Sequence, residues 1–205
     1  MSTTRRQIFC AGIAISTTSL INASMASILT PQTTAGPFYP NMEIPEIDAD
    51  LTRIAGRAGT ALGDIVDLSG RLLDQNGVPI KNGRIEIWQC DVNGRYRHTS
   101  ERSNETIDRN FQGFGFTNTS SLGEYYFRTI KPIAYPGRAP HIHFKVLLPD
   151  GGKLVTQLYI ENDKRNKSDS LYNRLTEEQI ARSVTRFEPS TDGLLKAKYD
   201  LVIQQ

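Results

Sequence analysis

The chain has 205 residues, 38% of them apolar, and its 24 basic side chains nearly balance 22 acidic ones for a formal charge of +2. That size and composition suit one globular core with a leader better than two full domains. There is no basic run or stripe to track a phosphate backbone, which argues against nucleic acid as a partner.

Residues 1–26 pair Arg5-Arg6 with an apolar, Ser/Thr-diluted stretch from Ile8 to Ile21, followed by the small residues of Ser24-Met25-Ala26. They read as an export signal leading to the periplasm or the extracellular space. Thr4-Arg5-Arg6-Gln7-Ile8-Phe9 resembles the twin-arginine consensus, a route for proteins already folded around a cofactor; an ordinary secretory leader also fits the pair. The apolar stretch is shorter than the roughly 20 residues that cross a bilayer, so no stable membrane anchor is expected. Phe9 is too bulky for the site that would make Cys10 a lipid attachment point. Cleavage after residue 26 removes two arginines and no acid, leaving 22 basic against 22 acidic residues. It also leaves Cys90 alone, excluding an intrachain disulfide, and the apolar strand pattern before it predicts a buried, inert thiol.

Residues 27–64 are rich in Pro, Thr, Gly and Ala and predict an extended arm running across a surface. From Ile65 the pattern changes to short β-branched and aromatic runs separated by turn signals such as Asn93-Gly94 and Asp150-Gly151-Gly152. Strands are predicted at 66–73, 84–90, 123–130, 141–148, 153–160, 182–187 and 195–203. With no βαβ alternation, this spacing predicts an all-β domain over 65–205, a two-sheet antiparallel β-sandwich with long loops. Residues 98–110 read as a polar surface loop, and 164–179 as a second excursion with room for one helical turn.

His141-Ile142-His143 heads a strand, and the period of two puts both imidazoles on one face, where two histidines can grip one metal. The spacing alone equally suits two polar residues on a half-buried face. Tyr96, after Asn93-Gly94-Arg95, and Tyr135, before Pro136-Gly137, both sit in turns; each alone suits a rim aromatic with a wet hydroxyl. Trp88 falls on the strand face opposite Ile85 and Ile87, where sheet packing is the default.

Taken together and in order, several segments resemble the intradiol ring-cleavage dioxygenases, most closely their protocatechuate 3,4-dioxygenase branch. They are Thr30-Pro31-Gln32-Thr33-Thr34-Ala35-Gly36-Pro37-Phe38, Ile87-Trp88-Gln89-Cys90-Asp91, Gly94-Arg95-Tyr96-Arg97-His98, Arg138-Ala139-Pro140-His141-Ile142-His143-Phe144 and Thr156-Gln157-Leu158-Tyr159. The resemblance implies a non-haem Fe(III) site held by Tyr96, Tyr135, His141 and His143, with loops forming the metal site. It implies a catecholic substrate cleaved by O2 between its hydroxyls to a muconate-type diacid. Phenolates are hard anionic donors that favour ferric over ferrous iron. In the same resemblance Tyr135 is the ligand released by substrate, Arg138 steadies charge developing on the ring, and Gln157 orients a group beside the iron. His98 falls outside the ligand set.

Only five residues separate Tyr135 from His141, fewer than in the familiar members, and Gly137 stands where the protocatechuate enzymes carry tryptophan. A more open cavity is therefore expected. The sequence shows no pattern for the helical N-terminal domain of the catechol 1,2-dioxygenase branch, so membership of that branch is not expected. The Ala35-Gly36-Pro37-Phe38 segment resembles one that shapes the pocket from a neighbouring subunit, which raises the expectation of a homo- or hetero-oligomer. A catalytically silent exported β-sandwich that binds aromatic ligands is the alternative; a zinc hydrolase fits poorly, since no carboxylate base lies in the motif.

Overall fold

The computed structural model describes residues 28–43 and 47–205. The predicted leader, residues 1–26, lies outside them.

Among the described residues, besides two 3-10 turns, the regular structure comprises ten strands and one short α-helix: β1 (Ile65–Asp74), β2 (Arg84–Trp88), β3 (Phe114–Asn118), β4 (Glu124–Ile130), β5 (His141–Leu147), β6 (Lys153–Ile160), α1 (Glu177–Ala181), β7 (Val184–Thr185), β8 (Glu188–Pro189), β9 (Leu195–Lys198) and β10 (Leu201–Ile203). Two five-stranded sheets face each other. In the first, the long β1 pairs with β4 along one edge, and with β9 and then β10 along the other, with β8 outside β9. The second runs β3-β2-β5-β6-β7. Alternation builds the core between them: Val66, Leu68 and Leu72 of β1 and Phe127 of β4 meet Ile85 and Ile87 of β2, Ile142, Phe144 and Val146 of β5, and Leu158 of β6, all fully buried in one cluster. Each such side chain contributes about 1.5–3 kcal/mol of burial.

The all-β sandwich agrees with the sequence reading, with one correction: the sheets are mixed, because β1 pairs parallel with β9 and β10, and β6 with β7. The expected strand at 195–203 is broken at Tyr199 and Asp200, where the Asp200 carboxylate accepts from the Arg71 N–H (2.9 Å) in place of a ladder carbonyl. Gly70 lies opposite this break, and a Cβ there would sit 1.8 Å from the Tyr199 carbonyl oxygen. The predicted strand at 182–187 contracts to Val184–Thr185, and β3 was not predicted at all. The 164–179 excursion carries two 3-10 turns, Lys164–Ser168 and Tyr172–Arg174, and leads into α1, whose N-terminus is closed by a Thr176/Gln179 capping box. No helix among the described residues is long and apolar enough to cross a membrane.

The N-terminal arm is tied down at several of its described residues. Thr30 N–H donates to the Val202 carbonyl (2.9 Å), and Thr33 N–H to the Val155 carbonyl (2.7 Å). The Tyr39 hydroxyl donates to Glu86 (2.8 Å) while accepting from Lys145 (2.9 Å). The arm thereby covers the outer face of the second sheet beside its chemically reactive residues.

Candidate metal centre

Register places the histidines. His143 stands opposite Trp88 on β2 and Gln157 on β6, and His141 opposite Tyr159, so these five side chains share the outer face of the second sheet. His143 lies flat on Trp88 (centroids 4.6 Å apart, planes 4° apart), which fixes its ring. The His141 Nδ1 lies 2.7 Å from the Ala139 carbonyl. A carbonyl only accepts, so Nδ1 carries the proton and Nε2 presents a lone pair. That Nε2 lies 3.1 Å from the Nε2 of His143, so both imidazoles converge on one point.

The two tyrosines reach the same point from loops. Tyr96 follows β2 through a turn in which the Asp91 carboxylate accepts from the N–H groups of Asn93 (2.9 Å) and Arg95 (3.0 Å). Its own N–H is held by Glu101 (3.1 Å), whose carboxylate also takes the N–H groups of Arg102 and Ser103. Burial alone would raise the Glu101 pKa, but these backbone donors more than offset it and hold the group ionised. Tyr135 sits in a tight turn closed by Arg138 N–H to Tyr135 carbonyl (3.0 Å). The four rings form a closed circuit, with centroids 5.4 Å apart for Tyr96–Tyr135, 5.6 Å for Tyr135–His141, 4.6 Å for His141–His143 and 6.2 Å for His143–Tyr96. The structure thus brings together all four residues that the sequence singled out, from three separate segments.

Burial at this point keeps the two imidazoles neutral and leaves a phenol oxygen unmet. Burial, with Arg138 nearby, lowers the His141 pKa to about 4, and burial together with His141 and Arg138 pushes that of His143 well below its usual value. Both are therefore neutral donors near pH 7. Burial, reinforced by Cys90 and Tyr135, drives the Tyr96 phenol well above its usual range, and its hydroxyl is buried without a hydrogen-bond partner. An unmet buried hydroxyl costs about 1–3 kcal/mol, a penalty that a cation bound to the ionised oxygen would remove. Among the described residues no group of three or more His, Cys, Asp or Glu side chains could hold a metal, so any ion here needs the phenol oxygens. Two hard phenolates and two imidazoles fit ferric iron.

Arg138 and Gln157 flank the cluster. The Arg138 guanidinium donates to Gln157 Oε1 (2.6 Å), reaches the hydroxyls of Tyr135 (3.4 Å) and Tyr159 (3.3 Å), and donates through Nε to Asp169 (2.8 Å). Gln157 is fixed from its other end by donation to the Thr34 carbonyl (3.0 Å). His98 accepts from Ser100 N–H and packs edge-on against Phe38, apart from the ring circuit. Cys90 is buried, and burial lifts its thiol to about 12, which leaves it inert.

Three contributors were read only in part or not at all. Trp88 stacks on His143, and its position on the face shared with Glu86 rather than Ile85 and Ile87 was the available signal. Phe38 stacks on Tyr96 (4.7 Å, 16°) and stands edge-on to Tyr135 (6.1 Å). The arm thus covers its own chain's cluster. The third is Asp169, hidden in a polar run. Beside Tyr135 opens a cavity of about 650 Å³, walled by Phe38, Ala134 and Pro136 on one side and Ser100, Glu101 and Arg102 on the other. It is the space in which the short 136–140 segment predicts an open pocket.

Fold, paired His-x-His strand and loop tyrosines define a class. The chain belongs to the Dioxygenase family (Dioxygenase_C), which matches residues 34–205, and within it to the intradiol ring-cleaving enzymes, a class of oxidoreductases. It is 36% identical over 180 residues to the protocatechuate 3,4-dioxygenase beta chain of Burkholderia cepacia, spanning 82% of this chain and 76% of that one. It is 30% identical over 152 residues to a hydroxyquinol 1,2-dioxygenase of Corynebacterium glutamicum, spanning 65% of this chain but only 47% of that longer protein. Among solved structures, the dioxygenase domain of a dioxygenase carbohydrate-binding protein fusion from Streptomyces sp. SirexAA-E superposes with a TM-score of 0.66 at 25% identity, covering 86% of this chain and 99% of that one. An intradiol ring-cleavage dioxygenase from Tetranychus urticae shares the fold, with a TM-score of 0.69 at 22% identity over 87% of this chain and 95% of that one.

Proposed function

We propose that Tyr96, Tyr135, His141 and His143 hold a non-haem Fe(III), at which a catechol of the protocatechuate type is cleaved by O2 between its hydroxyls to a muconate-type diacid. The observation that carries this reading is the closed circuit of four rings with converging Nε2 atoms and a buried, unpartnered phenol oxygen. Bound ferric iron supplies a Lewis acid that draws electron density from a catecholate and opens its ring to reaction with O2.

The chain's own residues divide the remaining work. Tyr96 is fully covered, whereas Tyr135 is partly exposed and borders both the ring circuit and the cavity. Tyr135 is therefore the phenol placed to leave the cluster and to accept a proton from an entering catechol hydroxyl. Arg138 keeps its guanidinium beside that oxygen, where it stabilises negative charge spreading onto the ring. Gln157, anchored to the Thr34 carbonyl, holds a terminal nitrogen of Arg138 on the cluster side. Phe38, Trp88 and the arm keep water from the buried side of the cluster.

An oxygen electrode with ferric-loaded protein and a panel of protocatechuate, catechol and hydroxyquinol tests the proposal. The expected result is one O2 consumed per ring, with a ring-opened diacid as product. Saturable catechol binding without oxygen consumption would establish the silent binding module instead.

A further inference from the structure

The 164–174 excursion reads in sequence as a solvated loop, yet it inserts a carboxylate into the protein. Asp169 is 0% exposed. Its Oδ2 accepts from Arg138 Nε (2.8 Å) and from the Ala139 N–H (2.9 Å), while Oδ1 accepts from the N–H groups of Leu171 (2.9 Å) and Tyr172 (3.1 Å). Burial alone would raise the Asp169 pKa, but the Ala139 and Tyr172 donors together with Arg138 more than offset it, so the group is ionised. The loop is braced against β6 by Tyr172, which packs edge-on to Tyr159 at 5.1 Å.

We propose that Asp169 is a positioning residue for ring cleavage, acting through Arg138; the proposal rests on the reading that Arg138 faces the reacting ring. A guanidinium has one Nε edge and two terminal nitrogens in a rigid plane. With its Nε bound to Asp169, the terminal nitrogens can only point toward Gln157, Tyr159 and the Tyr135 hydroxyl. The same Oδ2 holds the Ala139 N–H, and the Ala139 carbonyl fixes the His141 tautomer. One buried carboxylate therefore sets both the direction of the cation and the backbone beneath a histidine of the cluster. Without it, Arg138 can swing toward the solvent side of the cavity, and a displacement of about 1 Å is enough to cost up to 100-fold in rate.

The test is a double-mutant cycle on the full ferric-loaded protein, using Asp169→Asn, Arg138→Gln and the pair, with oxygen-uptake kinetics and thermal melting on each. Asp169→Asn is expected to lower kcat by about 10- to 100-fold with less than about a threefold change in KM, and to cost under about twofold when Arg138 is already glutamine. Multiplicative losses in the pair, or an unchanged kcat in the single variant, would overturn the proposal. Asp169→Ser keeps a hydroxyl acceptor for the Leu171 and Tyr172 N–H groups but no charge for Arg138; it serves if Asp169→Asn fails to fold, with the same expected result. A readout independent of turnover separates this idea from the proposed function. In metal-free protein, the Arg138 Nε–H NMR signal, assigned by its loss in Arg138→Gln, should be slow to exchange and should shift and exchange faster in Asp169→Asn. If no catechol is turned over but that signal behaves as described, the functional reading fails while the positioning contact stands. An Nε–H signal insensitive to Asp169 rejects the contact itself.

Discussion

The two sheets of the sandwich treat their outer faces in opposite ways. In the first, β1 alternates from Ile65 to Leu72, with Leu73 buried as well: Val66, Leu68 and Leu72 are buried, while Ser69 and Arg71 are exposed and Tyr126, opposite Ser69, is exposed beside them. In the second, alternation of side-chain type persists but alternation of exposure is lost. Trp88, His141, His143, Gln157 and Tyr159 are as buried as the aliphatic residues behind them. Water is excluded there by the arm, by the 98–110 loop and by the excursion carrying Asp169. A sheet that buries polar side chains on its second face must satisfy each of them. Here partners are found for His141, Gln157 and Tyr159, while Trp88 Nε1, His143 Nδ1 and the Tyr96 oxygen are left without one; of these the Tyr96 oxygen belongs to a phenol of the ring circuit. The comparison sets a solvated outer face, where polar side chains meet water, against a covered one, where each polar side chain must find a partner inside the protein, as the proposed metal site requires.

Substitutions on the two sides should separate those roles. The largest effect is expected from Tyr96→Phe, which removes the most buried oxygen of the cluster: at least about a 1000-fold loss of catechol-dependent oxygen uptake, with the melting temperature lowered little in metal-free protein. Retained turnover would show that this oxygen is not a ligand. Next comes Phe144→Ala on the inner face of the same strand as the histidines, expected to cost about 3–5 kcal/mol in denaturant unfolding while leaving the KM of the folded fraction unchanged.

A third contrast is with pH. In metal-free protein His141 is neutral when folded, with its pKa near 4, whereas the unfolded chain takes up that proton below about 6.5. The folded pKa is depressed, so the stabilisation from this group is complete above about 6.5 and is lost as pH falls toward about 4. Denaturant melts at a series of pH values check the sign, and His141→Gln should flatten part of the slope. The smallest effect belongs to the open face of the first sheet. Breaking the Arg71–Asp200 ion pair (3.7 Å) by Arg71→Ala should change stability by under about 1 kcal/mol and activity not at all, as measured by melting and oxygen uptake.

Much of this was legible because it is local. Period-two alternation placed His141 and His143 on one face, and turn chemistry marked the loops that carry Tyr96 and Tyr135. What was not legible depended on long-range packing. β3 alternates Phe114 and Phe116 with Gly115, a residue that weakens any strand signal, and the glycine is explained by residues distant in sequence: a Cβ at 115 would meet the Asp48 carbonyl oxygen at 2.2 Å and Leu51 Cδ1 at 2.7 Å. The parallel pairing of β9 and β10 with β1 depends on a break opposite Gly70. Asp169 sits among Lys164, Arg165, Lys167 and Ser170, a composition that reads as solvated, and only the three-dimensional approach of Arg138 reveals its burial.

The most direct test of the central claim is a ferric titration of the metal-free protein followed by visible absorption, with Tyr96→Phe and Tyr135→Phe in parallel. The account predicts one ferric ion per chain and a tyrosinate charge-transfer band that each tyrosine variant weakens or shifts. Stoichiometric ferric iron on a colourless protein would show that the phenols are not ligands, and the proposed centre would fall with them.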